Sequence, residues 1–268
     1  MSLPHFLRRR KKLNPTFPRI AILTPIKEVE DQAKAYFRRL LNLTFPHENI
    51  SIGLLESDSR DKTYPAFSQQ ASRVKSQFRA VEVWQRHFHY KIPPGVPRWE
   101  PRIQVERRSI LARSRNHLLF QGIGDADWVL WLDADVVEFP PDIIQRLLAF
   151  GKDIVHPHCV KCYGGPTFDL NAWTDCGRKH LQDHRGGPEL VELTTVGGTL
   201  LLVRADCHRD GLIFPPYPYG AGSLMGRIHD GQAVSAGEIE TEGFGFMAAD
   251  MQLKCWGVPD LEIIHRDH

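Results

Sequence analysis

Asp133 and Asp135 are the residues whose type and setting point most directly to chemistry. The run Trp128-Val-Leu-Trp-Leu132 ahead of them is unbroken and apolar, as expected of a central strand. The two carboxylates therefore emerge at the carboxyl end of a strand, the edge along which open α/β sheets bind ligands. Two carboxylates one residue apart repel unless a cation or a proton lies between them. They offer hard oxygen ligands suited to Mg²⁺ or Mn²⁺, cations that also take diphosphate oxygens. A cation held there neutralises the charge that develops on a departing diphosphate. The bland alternative is a pair of solvated turn aspartates, and the strand in front of them weighs against it.

Other polar groups fit around this pair. Glu56-Ser-Asp58-Ser59 follows a second apolar run, Ile50–Leu55, at the same edge. Its short side chains suit a ribose or a base, or equally an Asx-type turn. Arg113 and Arg115 lie on the helix before the aspartates; they suit phosphate recognition or the capping of their own helix. His265 ends the last strand, as a metal ligand or as a structural histidine. Cys159 and Cys162 form a lone C-x-x-C near His156 and His158. A structural zinc site normally needs a second pair, so buried or inert thiols are the expectation.

The elements that must position these groups follow from periodicity. Arg19–Thr24 reads as a buried strand ended by Pro25, and Ala33, Tyr36, Phe37, Leu40 and Leu41 recur at helical spacing. A helix over 64–77 and a strand over Ala80–Trp84 come next. A proline-rich connection then leads to a helix carrying Ile110, Leu111, Leu118 and Leu119. Beyond Asp135, Pro140-Pro141 opens a helix stopped by Gly151. Leu193–Val203 reads as one strand interrupted by Gly197-Gly198, and 214–238 as a glycine-rich lid or acceptor loop. A helix around Phe244, Met247 and Met251 precedes a short strand, Leu261–Ile264. Alternating strands and helices indicate an α/β fold, Rossmann-like, with a mostly parallel central sheet covered by helices on both faces.

The chain has 268 residues, 42% hydrophobic and 25% charged, the composition of an ordinary globular protein. Arg8, Arg9, Arg10, Lys11 and Lys12 hold five positive charges; taking them from the net +2 leaves −3. The remainder has no basic excess, which argues against nucleic acid as a partner. The basic run reads as a solvated tail, with peripheral contact to an anionic membrane as the sharper alternative. No stretch reaches the roughly 18 apolar residues of a membrane span, and no signal-peptide run opens the sequence. A chain that began here would start in the cytosol; one cut from an anchored parent would come from the Golgi lumen. The expected division is a tail over 1–18 and one domain over 19–268, with a nucleotide-binding half (19–136) and an acceptor half (137–268).

At this point the residues resemble a family, the fungal Anp1/Mnn9/Van1 mannosyltransferases (glycosyltransferase family 62). The likeness runs from Arg19 to His265 through Ile22-Leu-Thr-Pro25, Leu43-Thr-Phe-Pro-His47, Ser57-Asp58-Ser59 and Asn116-His-Leu-Leu119. It continues in Asp133-Ala-Asp-Val136, Phe168-Asp-Leu-Asn-Ala-Trp173, Val196-Gly-Gly198, Glu240-Thr-Glu-Gly-Phe244 and Ile264-His265. The resemblance implies a GT-A fold, GDP-mannose as donor, Mn²⁺ or Mg²⁺, and α-mannosyl transfer with retention to a glycan acceptor. It implies metal ligation by Asp133, Asp135 and His265, and a nucleotide site at Thr24, Pro25, Ser57, Asp58, Arg113 and Asp133. It puts Asp169, Glu240 and Glu242 near the acceptor or the reacting centre. Fungal members work in multi-protein complexes, so homo- or hetero-oligomers are expected. Fungal members carry an N-terminal membrane anchor, which is not expected from the residues here, and the 214–238 loop is long and glycine-rich.

Two rivals remain at this stage. Asp133-Ala-Asp-Val-Val137 mimics the nucleophile motif of haloacid-dehalogenase-type phosphatases, but that reading wants the motif on the first strand and a later acidic pair. A non-catalytic subunit keeping the fold is the other; the intact aspartates and His265 argue against it.

Overall fold

The structure, a computed structural model, describes residues 17–220, 228–229, 232–233 and 237–266. The basic run Arg8–Lys12 and, within the 214–238 loop, residues 221–227, 230–231 and 234–236 lie outside the described residues. In chain order the elements begin with β1 (Ile20–Ile26), α1 (Ala33–Leu41), β2 (Ile50–Glu56), α2 (Thr63–Val74) and β3 (Ala80–Gln85). A 22-residue helix, α3 (Pro101–Gly122), leads to β4 (Trp128–Leu132), β5 (Val136–Glu138), α4 (Ile143–Ala149) and β6 (Ile154–Val160). Short pieces follow: β7 (Trp173–Thr174), β8 (Lys179–His180), β9 (Val191–Leu193), β10 (Leu200–Arg204), α5 (Ala205–Arg209), β11 (Ile228–His229) and β12 (Gln232–Ala233). The chain closes with α6 (Glu240–Asp250) and β13 (Cys255–His265).

One large sheet carries the order β3-β2-β1-β4-β10-β6-β13-β5, with β9 also paired to β13. β1 pairs parallel with β2 and β4, and β2 with β3, so the ends of all four point to one edge. Past β4 the sheet becomes mixed: β10 runs antiparallel to β4 and β6, while β13 is parallel to β6 and antiparallel to β5. Because strand side chains alternate, each strand feeds two cores. Ile20, Ile22, Leu130 and Leu132 meet Phe37 and Phe67 on one face. Ala21, Leu23, Val129 and Trp131 meet Ala112, Leu119 and Phe244 on the other. Both faces are covered, as the apolar runs imply.

Two expectations need correction, and one strand was not expected. The run Leu193–Val203 is not one strand: β9 ends at Leu193, and β10 starts at Leu200 on a different neighbour. The last strand is longer than Leu261–Ile264, starting at Cys255 and passing Pro259 at a register shift. β6 has no counterpart in the sequence reading at all. Its His156-Pro-His158 centre hides the strand pattern, yet every residue in it is buried.

Candidate active site

β4 delivers the two aspartates as its sequence suggests. The Asp133 N–H donates to the Thr199 carbonyl at 2.9 Å, and the Arg266 N–H to the Asp135 carbonyl at 2.9 Å. The turn between β4 and β5 is thus pinned from β10 and from the end of β13. His265 Nε2 lies 3.0 Å from Asp135 Oδ1. Its Nδ1–H donates to the Arg266 carbonyl at 2.7 Å, and its ring stacks on Phe168 at 3.7 Å between centroids. Burial alone would depress the His265 pKa, but the hydrogen bond to Asp135 and its charge raise it. In the neutral ring, a proton fixed on Nδ1 leaves the Nε2 lone pair facing Asp135, the arrangement by which an outer hydrogen bond sets a metal-binding tautomer. Burial pushes the Asp133 carboxyl above its usual range; Arg115 opposes the shift and Asp135 reinforces it. Carboxylates so disfavoured gain from a nearby cation.

Among the described residues no three His, Cys, Asp or Glu groups gather as a closed metal cage. The Asp135–His265 pair fits an open site instead, where a cation such as Mg²⁺ takes one or two protein ligands and fills its shell with phosphate and water. Asp133 lines the same cleft as Asp135, and its Oδ1 lies 3.1 Å from Arg115 Nη2.

Arg115 is the hub of the second layer. It is 1% exposed and bridges two carboxylates, with Nε 2.9 Å from Glu240 Oε1. Nη2 also reaches the Gly198 carbonyl at 3.3 Å, and the Trp131 and Phe214 rings enclose the guanidinium. Glu240 holds a left-handed φ of 61°, a costly conformation for a non-glycine residue. The Pro215 carbonyl accepts from its N–H, and the Thr241 hydroxyl donates to its other oxygen. Glu242 faces Arg108 at 2.6 Å and accepts from Trp173 Nε1. Asp169 accepts from the Thr199 N–H and hydroxyl.

The Gly197-Gly198 pair has a steric reason. A Cβ on Gly197 would lie 2.0 Å from Asp169 Oδ2 and 2.8 Å from His156 Cε1; on Gly198 it would lie 2.5 Å from Arg115 Nη2. Gly197→Ala is expected to push Asp169 off Thr199 and to cost about 1–3 kcal/mol, the range for overpacking. Thermal unfolding would read this as a lowered Tm, and an unchanged Tm would deny the close approach.

A cleft of about 380 Å³ opens in front of the aspartates, between the ends of β1–β4 and one face of α3. Pro25, Ser57 and Asp133 line it, as the sequence reading expects of nucleotide-site residues. Three other expected contacts are elsewhere. The Thr24 hydroxyl is buried against Tyr36 at 2.7 Å, inside the core. The Asp58 carboxylate accepts the N–H groups of Phe88, His89 and Tyr90, so it shapes the segment after β3. Arg113 is exposed and lies over the Phe88 ring, because helical spacing turns it away from the face that carries Leu111, Ser114 and Arg115. The cleft-lining residues missed from sequence include Lys27, Glu28, Tyr90, Arg98 and Arg107. Spacing from Arg115 could have found Arg107; nothing in the proline-rich connection signals Arg98.

The sequence model of the Anp1 family matches residues 7–184. The chain belongs to the Anp1 family. Several of its relatives are named as mannan polymerase subunits. The mannan polymerase complex subunit mnn9 of Schizosaccharomyces pombe is 27% identical over 92% of this chain and 80% of its own length. The mannan polymerase II complex ANP1 subunit of Saccharomyces cerevisiae is 25% identical over 92% of this chain and 55% of its own. Among solved structures, the mannosyltransferase PcManGT of Pyrobaculum calidifontis, in complex with GDP-Man and Mn²⁺, superposes with a TM-score of 0.57. That match covers 94% of this chain and 57% of the other at 15% identity, and it shows the fold: this Anp1-family chain is a GT-A protein. Four of the motifs quoted above fall on the β4 exit, the Gly197-Gly198 turn, the start of α6 and the end of β13.

Proposed function

We propose that this Anp1-family chain is a retaining α-mannosyltransferase that moves mannose from GDP-mannose to a mannose-containing glycan, using Mn²⁺ or Mg²⁺. The observation that carries the reading is the Asp135–His265 pair, set beside a cleft at the carboxyl edge of the sheet. Asp135 and His265 would hold the cation, which supplies positive charge to the departing diphosphate. In the transfer the bond from the anomeric carbon to the diphosphate breaks, a bond to an acceptor hydroxyl forms, and the hydroxyl proton is released. Asp133 orients the donor from the floor of the cleft, held by Arg115. Asp169, Glu240 and Glu242 form the acidic wall beyond Gly198, where the acceptor would bind and its proton leave. The names of the relatives support work within a mannan polymerase complex, and hence a glycan as acceptor.

The test is a thermal-shift panel of GDP, UDP and ADP with Mn²⁺. GDP plus Mn²⁺ should stabilise the chain most, by about 2.7 kcal/mol at a hundredfold excess over Kd. His265→Ala should raise the Mn²⁺ concentration needed for that shift, with little change in the metal-free Tm. Equal shifts for all nucleotides would reduce the site to a generic diphosphate binder. Stabilisation without transfer to mannose-terminated acceptors would favour a non-catalytic subunit.

A further inference from the structure

Arg98 and Arg107 are guanidinium groups that the proposed chemistry does not use. Both line the cleft. The other two cations there are committed: Lys27 donates to the Tyr90 carbonyl, and Arg115 bridges Asp133 and Glu240. Arg107 is half-buried, and among the described residues only one of its five N–H donors has a protein acceptor, Gln104 Oε1 at 3.3 Å. Among the described residues neither Arg98 nor Arg107 makes an ion pair, whereas the next residue, Arg108, pairs with Glu242. Withdrawing a guanidinium from water without giving it acceptors is costly, so the half-buried Arg107 is set to take acceptors from something that enters the cleft, with the exposed Arg98 at its mouth.

The sheet fixes how far that partner lies from the cation edge. Lys27, Ser57 and Tyr90 follow β1, β2 and β3, while Asp135 follows β4. Strands sit about 4.8 Å apart, so the β2 end is roughly 10 Å from the β4 end. On the opposite wall, Arg107 stands about 12 Å from Arg115 along α3, at about 1.5 Å per residue. A diphosphate held at Asp135 does not reach that far, but the nucleoside attached to it does. The apolar side chains beside the arginines, Ile92, Ile110 and Leu111, suit the faces of a base.

A guanidinium fork matches two acceptors that lie side by side in one plane. Guanine presents such a pair in O6 and N7, whereas adenine puts an N–H₂ donor beside its N7 and pyrimidines have no N7. We propose that Arg107, backed by Arg98, reads the O6/N7 edge of the donor's guanine and so sets base specificity. The inference rests on the proposed nucleotide site and adds the residues that choose the base.

Calorimetric titration of the chain with Mn²⁺ and GDP, IDP, ADP, UDP or 7-deaza-GDP tests it. IDP keeps O6 and N7 and should bind like GDP; 7-deaza-GDP lacks N7 and should bind more weakly, on the order of tenfold. Arg107→Met should weaken GDP by a similar factor and erase the difference between GDP and 7-deaza-GDP. Inorganic pyrophosphate with Mn²⁺ should bind wild type and variant alike, which separates base reading from misfolding. An undiminished preference for GDP over 7-deaza-GDP in Arg107→Met would overturn the assignment. So would weakened pyrophosphate binding, which would make the pair a diphosphate clamp. If wild type bound no nucleoside diphosphate at all, the proposed function would fall with it; normal GDP binding by both proteins would sink only the role of Arg107.

Discussion

Asp135→Ala is expected to abolish the extra stability that GDP gains from Mn²⁺ and to cut mannosyl transfer by at least about 10²–10³-fold, the scale of removing one preorganised stabiliser of transition-state charge. The fold should survive. Asp135 sits in a turn whose backbone is held by Val136 pairing with His265 and by the Arg266 N–H, and none of these bonds uses the carboxylate. His265 loses its ion-pair partner, so its pKa should fall back toward an ordinary histidine value. The measurement is turnover against Mn²⁺ concentration, with circular dichroism to confirm folding. Chelation of the wild type should reproduce the loss. Full activity in EDTA would end the metal mechanism.

Arg115→Met carries the largest expected cost in stability. The guanidinium bridges Asp133 and Glu240 with its side chain 2% exposed. Removing one partner of a buried ionic network typically costs about 3–5 kcal/mol, because the partners are left charged and unpaired. At the size of this chain that corresponds to a drop in Tm of roughly 10 °C. The pH dependence has a definite sign. Burial already raises the Asp133 pKa in the folded state, and Arg115 is the group that opposes the rise. A carboxyl with a raised folded pKa favours the folded state below its unfolded pKa and loses that advantage as pH rises. Without Arg115 the rise is larger, so the variant should be penalised least near pH 4 and most at neutral pH. Arg115→Lys, which keeps the charge but not the fork, should recover only part of the loss. A destabilisation independent of pH would mean that Arg115 acts through packing on Trp131 and Phe214 alone.

The parts of this architecture legible in the sequence are those with local causes. The β4 run and its exit aspartates could be read directly, because an unbroken apolar strand buried on both faces has few alternatives. The same holds for β1, β2 and the apolar face of α3. Spacing could not show that Arg115 faces the site while Arg113 faces solvent, since that depends on the side of α3 that meets the sheet. Nor could it show that Asp58 spends its carboxylate on three backbone N–H groups. Both follow from segments meeting across the fold. β6 was hidden for another reason. His156 and His158 look polar in sequence, yet in the fold their rings are hydrogen-bonded: His156 to the Leu200 carbonyl, and His158 to the Pro259 carbonyl 101 residues on and to the nearby Thr167 hydroxyl.

The placement of β13 between β6 and β5 also sets the order in which the molecule can be assembled. The β1–β4 wall is built from strands joined by the helices that cover them, so each unit can close soon after it is made. The cation edge cannot. His158 reaches the Pro259 carbonyl 101 residues away, and Arg115 reaches Glu240 across 125. Contacts of that range form late, because the entropy of closing the intervening loop must be met first. A newly made chain therefore keeps an unfinished cation edge until β13 is made and paired with β6. At that stage one side of β6 is an open strand edge, the surface most prone to wrong partners. On the proposed function, Mn²⁺ offered then would find no completed Asp135–His265 pair, so metal binding would reward only chains that have already threaded β13 home.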